Sequence, residues 1–237
     1  FKELFVKTDL FSNINYVLGH SLGEYSALVA SNAISLEDCS ELLKFRGKLM
    51  QNAYPENQSG MAAVLGLNCK DIELIIRNFS LKIDIANDNA PEQVVISGIV
   101  KDINKAEEIL IQNGVKKIIY LKVSSAFHSR IMKTAEEKMK HKLLNINLAN
   151  SIYPIVCNYS SIATKDKNVI FDNLSKQMSN KVKWTDSIKL LENFNEKKII
   201  EIGPGKVLTG LIKRISSNFT LYNFNNIKDI DVLNNVI

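Results

Sequence analysis

The chain has 237 residues, 46% of them hydrophobic and 23% charged, with a formal net charge of +5. That suits one domain, or one domain carrying a smaller insert, with enough apolar material for a sizeable core. No apolar run approaches the ~20 residues that a membrane span needs, and no basic run interleaved with aromatics suggests nucleic-acid binding.

The three cysteines, Cys39, Cys69 and Cys157, are far apart and lie in apolar segments. They argue against a disulfide framework or a zinc site and point to a reducing intracellular compartment. The start, "FKELFVKTDL", has neither an initiator Met nor the apolar core of a signal peptide, so a processed or partial chain is expected. The positive charge is diffuse, and the Lys, Asn and Ile bias reads as AT-rich coding with solvated lysines.

In chain order, a short apolar run ends at Val17-Leu18 and enters Gly19-His20-Ser21-Leu22-Gly23, a G-x-S-x-G pattern. "EYSALVAS" continues it as a helix, so Ser21 stands at a strand-to-helix turn, where this pattern makes a nucleophile elbow and its glycines relieve clashes. The next helix, "SLEDCSELLKFRGKLMQNA", opens on Ser35 as N-cap with Asp38 as a capping-box variant. From Met61 to Val123 the pattern changes. "MAAVLGL" reads as a strand, "KDIELIIRNF" as a helix, "KIDIAN" and "QVVIS" as strands, "KDINKAEEILIQNG" as a helix and "KKIIYLKV" as a strand. This β-α-β-β-α-β order predicts a ferredoxin-like subdomain over residues 59–124.

The remainder, residues 1–58 and 125–237, forms a discontinuous larger catalytic subdomain. It resumes with the helix "SRIMKTAEEKMKHKLL", the strand "YPIVCN", and helices around "VIFDNLSKQM" and "TDSIKLLENF". The strand "KKIIEIGPG" and the helix "KVLTGLIKRIS" follow. The expected class is α/β, an α/β-hydrolase-like core with a parallel sheet plus the ferredoxin-like insert. "IGPGK" lacks the G-x-x-x-x-G-K-[ST] spacing of a phosphate loop and reads as strand-to-helix punctuation.

A serine nucleophile needs a base. Of the three histidines, His20 adjoins Ser21 and points the other way along an extended strand. His141 falls on the polar face of a helix whose apolar stripe is Ile131, Ala135, Met139 and Leu143. Elimination leaves His128, placed between a strand end and a helix as α/β site residues often are. The Leu22 N–H, at a helix N-terminus, supplies half an oxyanion hole. The triad order of an α/β-hydrolase, with its histidine late in the chain, is absent, because no histidine follows His141.

Arg46 interrupts an apolar stripe of Leu42, Leu43, Leu49 and Met50. A guanidinium there is costly unless paired. Either it snorkels out or pairs internally, or it grips a ligand carboxylate with both arms. The pattern alone leaves both readings open.

Together "GHSLGEYSALVAS", "FRGKLMQNA", "GMAAVLGL", "PEQVVISG", "SAFHS" and "EIGPGKVLTGLIKRI" resemble the malonyl-CoA:acyl-carrier-protein transacylases of type II fatty acid synthesis. They also resemble the related acyltransferase domains of polyketide synthases, in order from about Tyr16 to Ile215. The resemblance implies that Ser21 is acylated, that His128 is its base and that Arg46 binds the malonyl carboxylate. It further implies that the backbone carbonyl of Gln177 orients His128 and that Asn87 and Asn89 line the cleft between the subdomains. "Ala126-Phe127-His128" matches the malonyl-type motif, with the Phe127 ring filling the space a methyl branch would need.

The implied partners are malonyl-CoA and the phosphopantetheine of acyl carrier protein. No metal or further cofactor, no nucleic acid and no membrane is expected, and the chain is expected to be a monomer in a cytoplasm or plastid stroma. The family's Gly-Gln-Gly turn, whose glutamine N–H completes the oxyanion hole, has no counterpart before Ser21, so the second donor is expected to be missing from this chain. Two other readings stand beside the transferase: an acyl-thioester hydrolase, which would leave Arg46 unpaired by neutral acyl chains, and a truncated, inactive docking module.

Overall fold

The computed structural model describes residues 13–226 and Asp229. It begins with β1 (Val17–Leu18), α1 (Leu22–Ala30) and α2 (Leu36–Gln51). The middle of the chain follows as β2 (Ser59–Leu65), α3 (Cys69–Asn78), β3 (Ile83–Ala90), β4 (Gln93–Ile99), α4 (Val100–Gln112) and β5 (Lys117–Tyr120). A 3-10 turn over Arg130–Met132 leads into α5 (Lys133–Leu143), β6 (Ile155–Val156), β7 (Ala163–Thr164) and α6 (Lys167–Gln177). The described elements end with α7 (Trp184–Asn193), β8 (Lys198–Ile202), α8 (Val207–Ile215) and β9 (Thr220–Phe224).

Period-two alternation builds the middle unit. Ala62, Val64, Val94 and Ile96 face one apolar cluster with Ile72 and Leu110 of the flanking helices. The alternate residues Met61, Ala63 and Val95 face the other way, where Phe127 and Val123 cover them. The sheet is antiparallel in the order β3-β4-β2-β5. The β3–β4 register slips between Ile85 and Asn87 and again between Asp88 and Ala90. Such irregularities re-aim side chains beside functional sites, and here they affect Asn87 and Asn89.

The rest of the chain packs around two further apolar clusters. One joins α1, α2, α5 and α6 through Leu28, Leu42, Met139 and Leu174. The other joins α7 and α8 through Trp184, Ile188 and Ile212. The parallel sheet expected for this part is divided. β1 pairs parallel with β6, β7 adds antiparallel to β6, and β8 and β9 form a separate parallel pair. Two-residue strands leave little ladder to extend, and residues of both β1 and β8, among them Val17, Leu18 and Ile199, line one cavity of about 1870 Å³. The strands β7 and β9 were not anticipated from sequence.

Several local expectations hold. The Ser35 side chain accepts from the Asp38 N–H at 3.0 Å. Gly203 and Gly205 take positive φ angles of 137° and 91° in the β8–α8 turn. The N-terminus of α8 is satisfied from within: the Glu201 carboxylate accepts from the Leu208 N–H at 3.0 Å and the Thr209 N–H at 2.7 Å. All three cysteines are free and buried.

Candidate active site

β1 delivers the chain into the elbow, and the turn closes with Gly23 N–H donating to the His20 carbonyl at 2.9 Å. Ser21 sits at φ 52°, ψ −98°, a sparsely populated conformation for a residue with a side chain that surrounding structure must hold in place. Only the first glycine is sterically obliged. A Cβ on Gly19 would stand 2.1 Å from the Gly23 carbonyl carbon and oxygen, whereas one on Gly23 meets nothing within 4 Å.

Asn158, just past β6, pins the elbow from both sides. Its Oδ1 accepts from the Ser21 N–H at 2.6 Å, and its Nδ2 donates to the Gly19 carbonyl at 2.8 Å. The parallel β1–β6 pairing brings these ends together. Leu22, 55% exposed, opens α1 next to Ser21, and as a first-turn N–H its backbone donor has no intrahelical acceptor. Residues 1–12, the stretch before the elbow that holds no Gly-Gln-Gly turn, lie outside the described residues.

His128 Nε2 lies 2.7 Å from Ser21 Oγ. On the other side of the ring, Nδ1 faces the carbonyls of Gln177 at 2.9 Å and Asn180 at 3.2 Å. Carbonyls only accept, so Nδ1 carries the proton and the Nε2 lone pair faces the serine. Burial and then the neighbouring Arg46 charge pull the His128 pKa down to about 3, against the opposing carbonyl contacts. The imidazole is therefore neutral and able to accept a proton at neutral pH. No acid orients it. His141, by contrast, is exposed on α5.

Arg46 is 5% exposed. Its Nη2 donates to Ser21 Oγ at 2.9 Å and to Gln177 Oε1 at 3.1 Å, and its guanidinium lies 5.5 Å from the Tyr25 ring centroid. Burial lowers its pKa, yet arginine remains charged in proteins. Neither snorkelling nor a direct internal ion pair accounts for it, since none of the ion pairs among the described residues includes Arg46. Its Nε, buried, has no partner.

The remaining expected residues divide. Gln177 contributes its carbonyl to His128 and also its side chain to the site, which sequence reasoning missed. Phe127 packs against both the middle-unit sheet and the helical cluster. Asn87 is buried and bridges to Val182. Asn89 Oδ1 is 2.7 Å from His20 Nε2, and the His20 ring lies tilted 5.5 Å from Trp184. Asn89 thus anchors His20 to β3, and its side-chain oxygen is committed to that contact. Glu24 and Asn158 escaped notice as well, although both stand beside recognisable signals, the elbow and the end of a strand.

A serine on a strained elbow, a neutral histidine aimed at its oxygen and a backbone donor beside it form the arrangement of covalent acyl transfer. The comparisons agree. The model of the family described as "Acyl transferase domain" matches residues 13–233, and the chain belongs to that family. It is 38% identical over 205 residues to the malonyl CoA-acyl carrier protein transacylase of Bacillus subtilis (strain 168), covering 85% of this chain and 65% of that protein. The chain therefore spans just under two thirds of the length of that relative. The crystal structure of an acyl-carrier-protein-S-malonyltransferase from Bartonella henselae superposes with a TM-score of 0.92 at 37% identity, over 98% of this chain and 74% of that one. A solved complex of a type II PKS acyl-carrier protein with its malonyl-transacylase matches with a TM-score of 0.87 at 33% identity, over 91% and 70%.

Proposed function

We propose that the protein moves the malonyl group of malonyl-CoA to the phosphopantetheine thiol of an acyl carrier protein through a malonyl ester on Ser21. The observation that carries this is the convergence on one oxygen: His128 Nε2 at 2.7 Å and Arg46 Nη2 at 2.9 Å from Ser21 Oγ. A fork touching the attacking atom reaches only a carboxylate close to the reacting carbonyl, which suits a malonyl group, where one methylene separates the two.

Arg46 holds the carboxylate while Ser21 Oγ attacks the thioester carbon and its proton passes to His128 Nε2. The carbonyl oxygen becomes an oxyanion beside the Leu22 N–H. Collapse breaks the carbon–sulfur bond, and the CoA sulfur leaves with the proton from His128. The carrier thiol then gives its proton to His128, its sulfur attacks the ester, and Ser21 recovers that proton as it leaves. A thioester is already activated, so this route needs no metal or further cofactor. Pairing Arg46 with the carboxylate also relieves the charge that depresses His128, making it a better base for malonyl than for neutral acyl groups.

The hydrolase reading leaves the Arg46 charge without a ligand partner, and the formed dyad disfavours an inactive module. The β3-β4-β2-β5 order and its own apolar cluster support reading residues 59–124 as a ferredoxin-like subdomain set into an α/β-hydrolase-like unit of residues 1–58 and 125–237. Asn87 and Phe127 are assigned to the cleft between them, Asn89 to support of His20. The carrier-protein complex of the relative above supports an acyl carrier protein as acceptor. We assign the protein to a reducing, bacterial-type cytoplasm rather than a plastid stroma, as a monomer without nucleic-acid or membrane partners; its free cysteines and bacterial relatives favour that compartment, and no described helix is long and apolar enough to cross a membrane.

The test is transfer itself. Incubation with malonyl-CoA and a phosphopantetheinylated carrier protein should give malonyl-carrier protein by mass spectrometry, lost in Ser21→Ala. Free malonate without carrier loading would instead establish the hydrolase.

A further inference from the structure

Glu24 lies one turn beyond the nucleophile and is 2% exposed. Its Oε2 accepts from Gln177 Nε2 at 2.7 Å and from the Asn158 N–H at 3.3 Å. Gln177 Nε2 also donates to the Ser21 carbonyl at 3.0 Å, while its Oε1 accepts from Arg46. Two acceptors on one side and a guanidinium on the other fix the amide orientation. The result is an unbroken chain: Glu24 carboxylate, Gln177 amide, Arg46 guanidinium, Ser21 hydroxyl.

This chain supplies what Arg46 lacks in direct contact, a counter-charge. Resting on the malonyl reading above, we infer that Glu24 is the resident counter-ion of Arg46 and gives up that role to the substrate's carboxylate by taking a proton from solvent. One buried guanidinium can neutralise one carboxylate. When a second carboxylate enters the same low-dielectric site, like-charge repulsion favours protonation of one of them. The incoming malonyl carboxylate sits directly on the guanidinium, so Glu24, held one amide away, is the one to protonate. Its Oε1 is used by neither Gln177 nor Asn158, which leaves a place for the proton. Glu24 is thus a positioning residue that acts through Gln177 and Arg46.

The surrounding groups leave Glu24 as the site that responds near neutrality. Burial raises its carboxyl to about 7, opposed by Gln177, Asn158, Arg46 and Cys157. Tyr25, beside it in α1, is pushed up to about 12 by burial, and burial also pushes the Cys157 thiol up. His128 lies beyond Arg46 and is held far below neutrality by burial and the Arg46 charge.

Calorimetry on Ser21→Ala tests this, because that variant holds malonyl-CoA unreacted. Titrations in two buffers of different ionisation heat give the protons taken up, and free CoA carries the same phosphates without the carboxylate. Malonyl-CoA should bind with up to roughly half a proton more than CoA at pH 7, the uptake peaking somewhat above pH 7. The difference should vanish in Ser21→Ala/Glu24→Gln. Equal uptake for malonyl-CoA and CoA would overturn the inference while leaving malonyl recognition intact. Uptake that persists without Glu24, or that peaks well below pH 7, would move the proton to His128 and overturn it too. Absence of any malonyl-CoA binding would remove the functional reading and this inference with it.

Discussion

On the proposed function, replacing Arg46 by alanine should change which acyl group the protein accepts more than whether it reacts. The guanidinium is almost wholly buried and donates from one nitrogen to both Ser21 Oγ and Gln177 Oε1. Its removal takes away the charged partner proposed for the malonyl carboxylate, a hydrogen bond worth about 1.5–3 kcal/mol. At about 1.36 kcal/mol per tenfold change, the malonyl-to-acetyl preference should fall by about 10- to 150-fold. A second effect acts in the same direction. Arg46 is the second-largest influence lowering the His128 pKa, so its loss makes His128 a stronger base toward neutral acyl thioesters. The assay is a competition between malonyl-, methylmalonyl- and acetyl-CoA, with the acyl-enzymes resolved by intact mass for wild type and Arg46→Ala. An unchanged malonyl-to-acetyl ratio would refute the reasoning and place the carboxylate elsewhere. Methylmalonyl loading well below malonyl in the wild type is expected if the Phe127 ring occupies the space of the branch.

His128→Ala should slow acyl loading by about 10²- to 10⁴-fold, the usual range for a general base, while His141→Ala should leave it unchanged; stopped-flow CoA release checks both. Gly19→Ala should fail to fold or lose solubility, because its Cβ cannot coexist with the Gly23 backbone 2.1 Å away, whereas Gly23→Ala should fold; circular dichroism of the two variants decides. Glu24 also links stability to pH. A carboxyl raised from 4.5 to about 7 on folding gives the native state a tighter hold on its proton than the unfolded chain has. That contribution is complete below pH 4.5 and is lost as pH rises to about 7, roughly 3 kcal/mol in all. Between pH 5 and pH 8 the urea midpoint of wild type should therefore drop relative to that of Glu24→Gln, the opposing contribution of the depressed His128 being common to both, and parallel slopes would contradict the assignment.

What could be read in advance follows from the range of the forces involved. The elbow was legible because strand, turn and helix signals are contiguous around Ser21. The helices α2, α4 and α5 were legible from their apolar periodicity, and β2 to β4 from alternation and flanking turns. His128 as the candidate base came from counting, with three histidines and only one suitably placed. The two-residue pairing of β7 carries too little pattern to recognise, and β9 depends on β8 for its partner. The polar network behind the nucleophile was hidden for a different reason. Asn158 meets Ser21 across 137 positions and Gln177 meets Glu24 across 153, and no local periodicity records such contacts. Arg46 stood out as a charge in an apolar stripe, but its partners could not be named until α2 and α6 were brought together. Asn89 could be placed beside the cleft by its motif, but its contact with His20, across 69 positions at a register shift of β3, could not be read from the sequence.

The central claim, that Ser21 takes up a malonyl group under the control of His128 and Arg46, is tested most directly by peptide mapping after brief exposure to malonyl-CoA. The account expects one malonyl ester, on the peptide holding Gly19-His20-Ser21-Leu22-Gly23, that forms far more slowly in His128→Ala and disappears when the carrier thiol is added. A malonyl adduct on any other residue, or a Ser21 adduct that forms at the wild-type rate without His128, would contradict it.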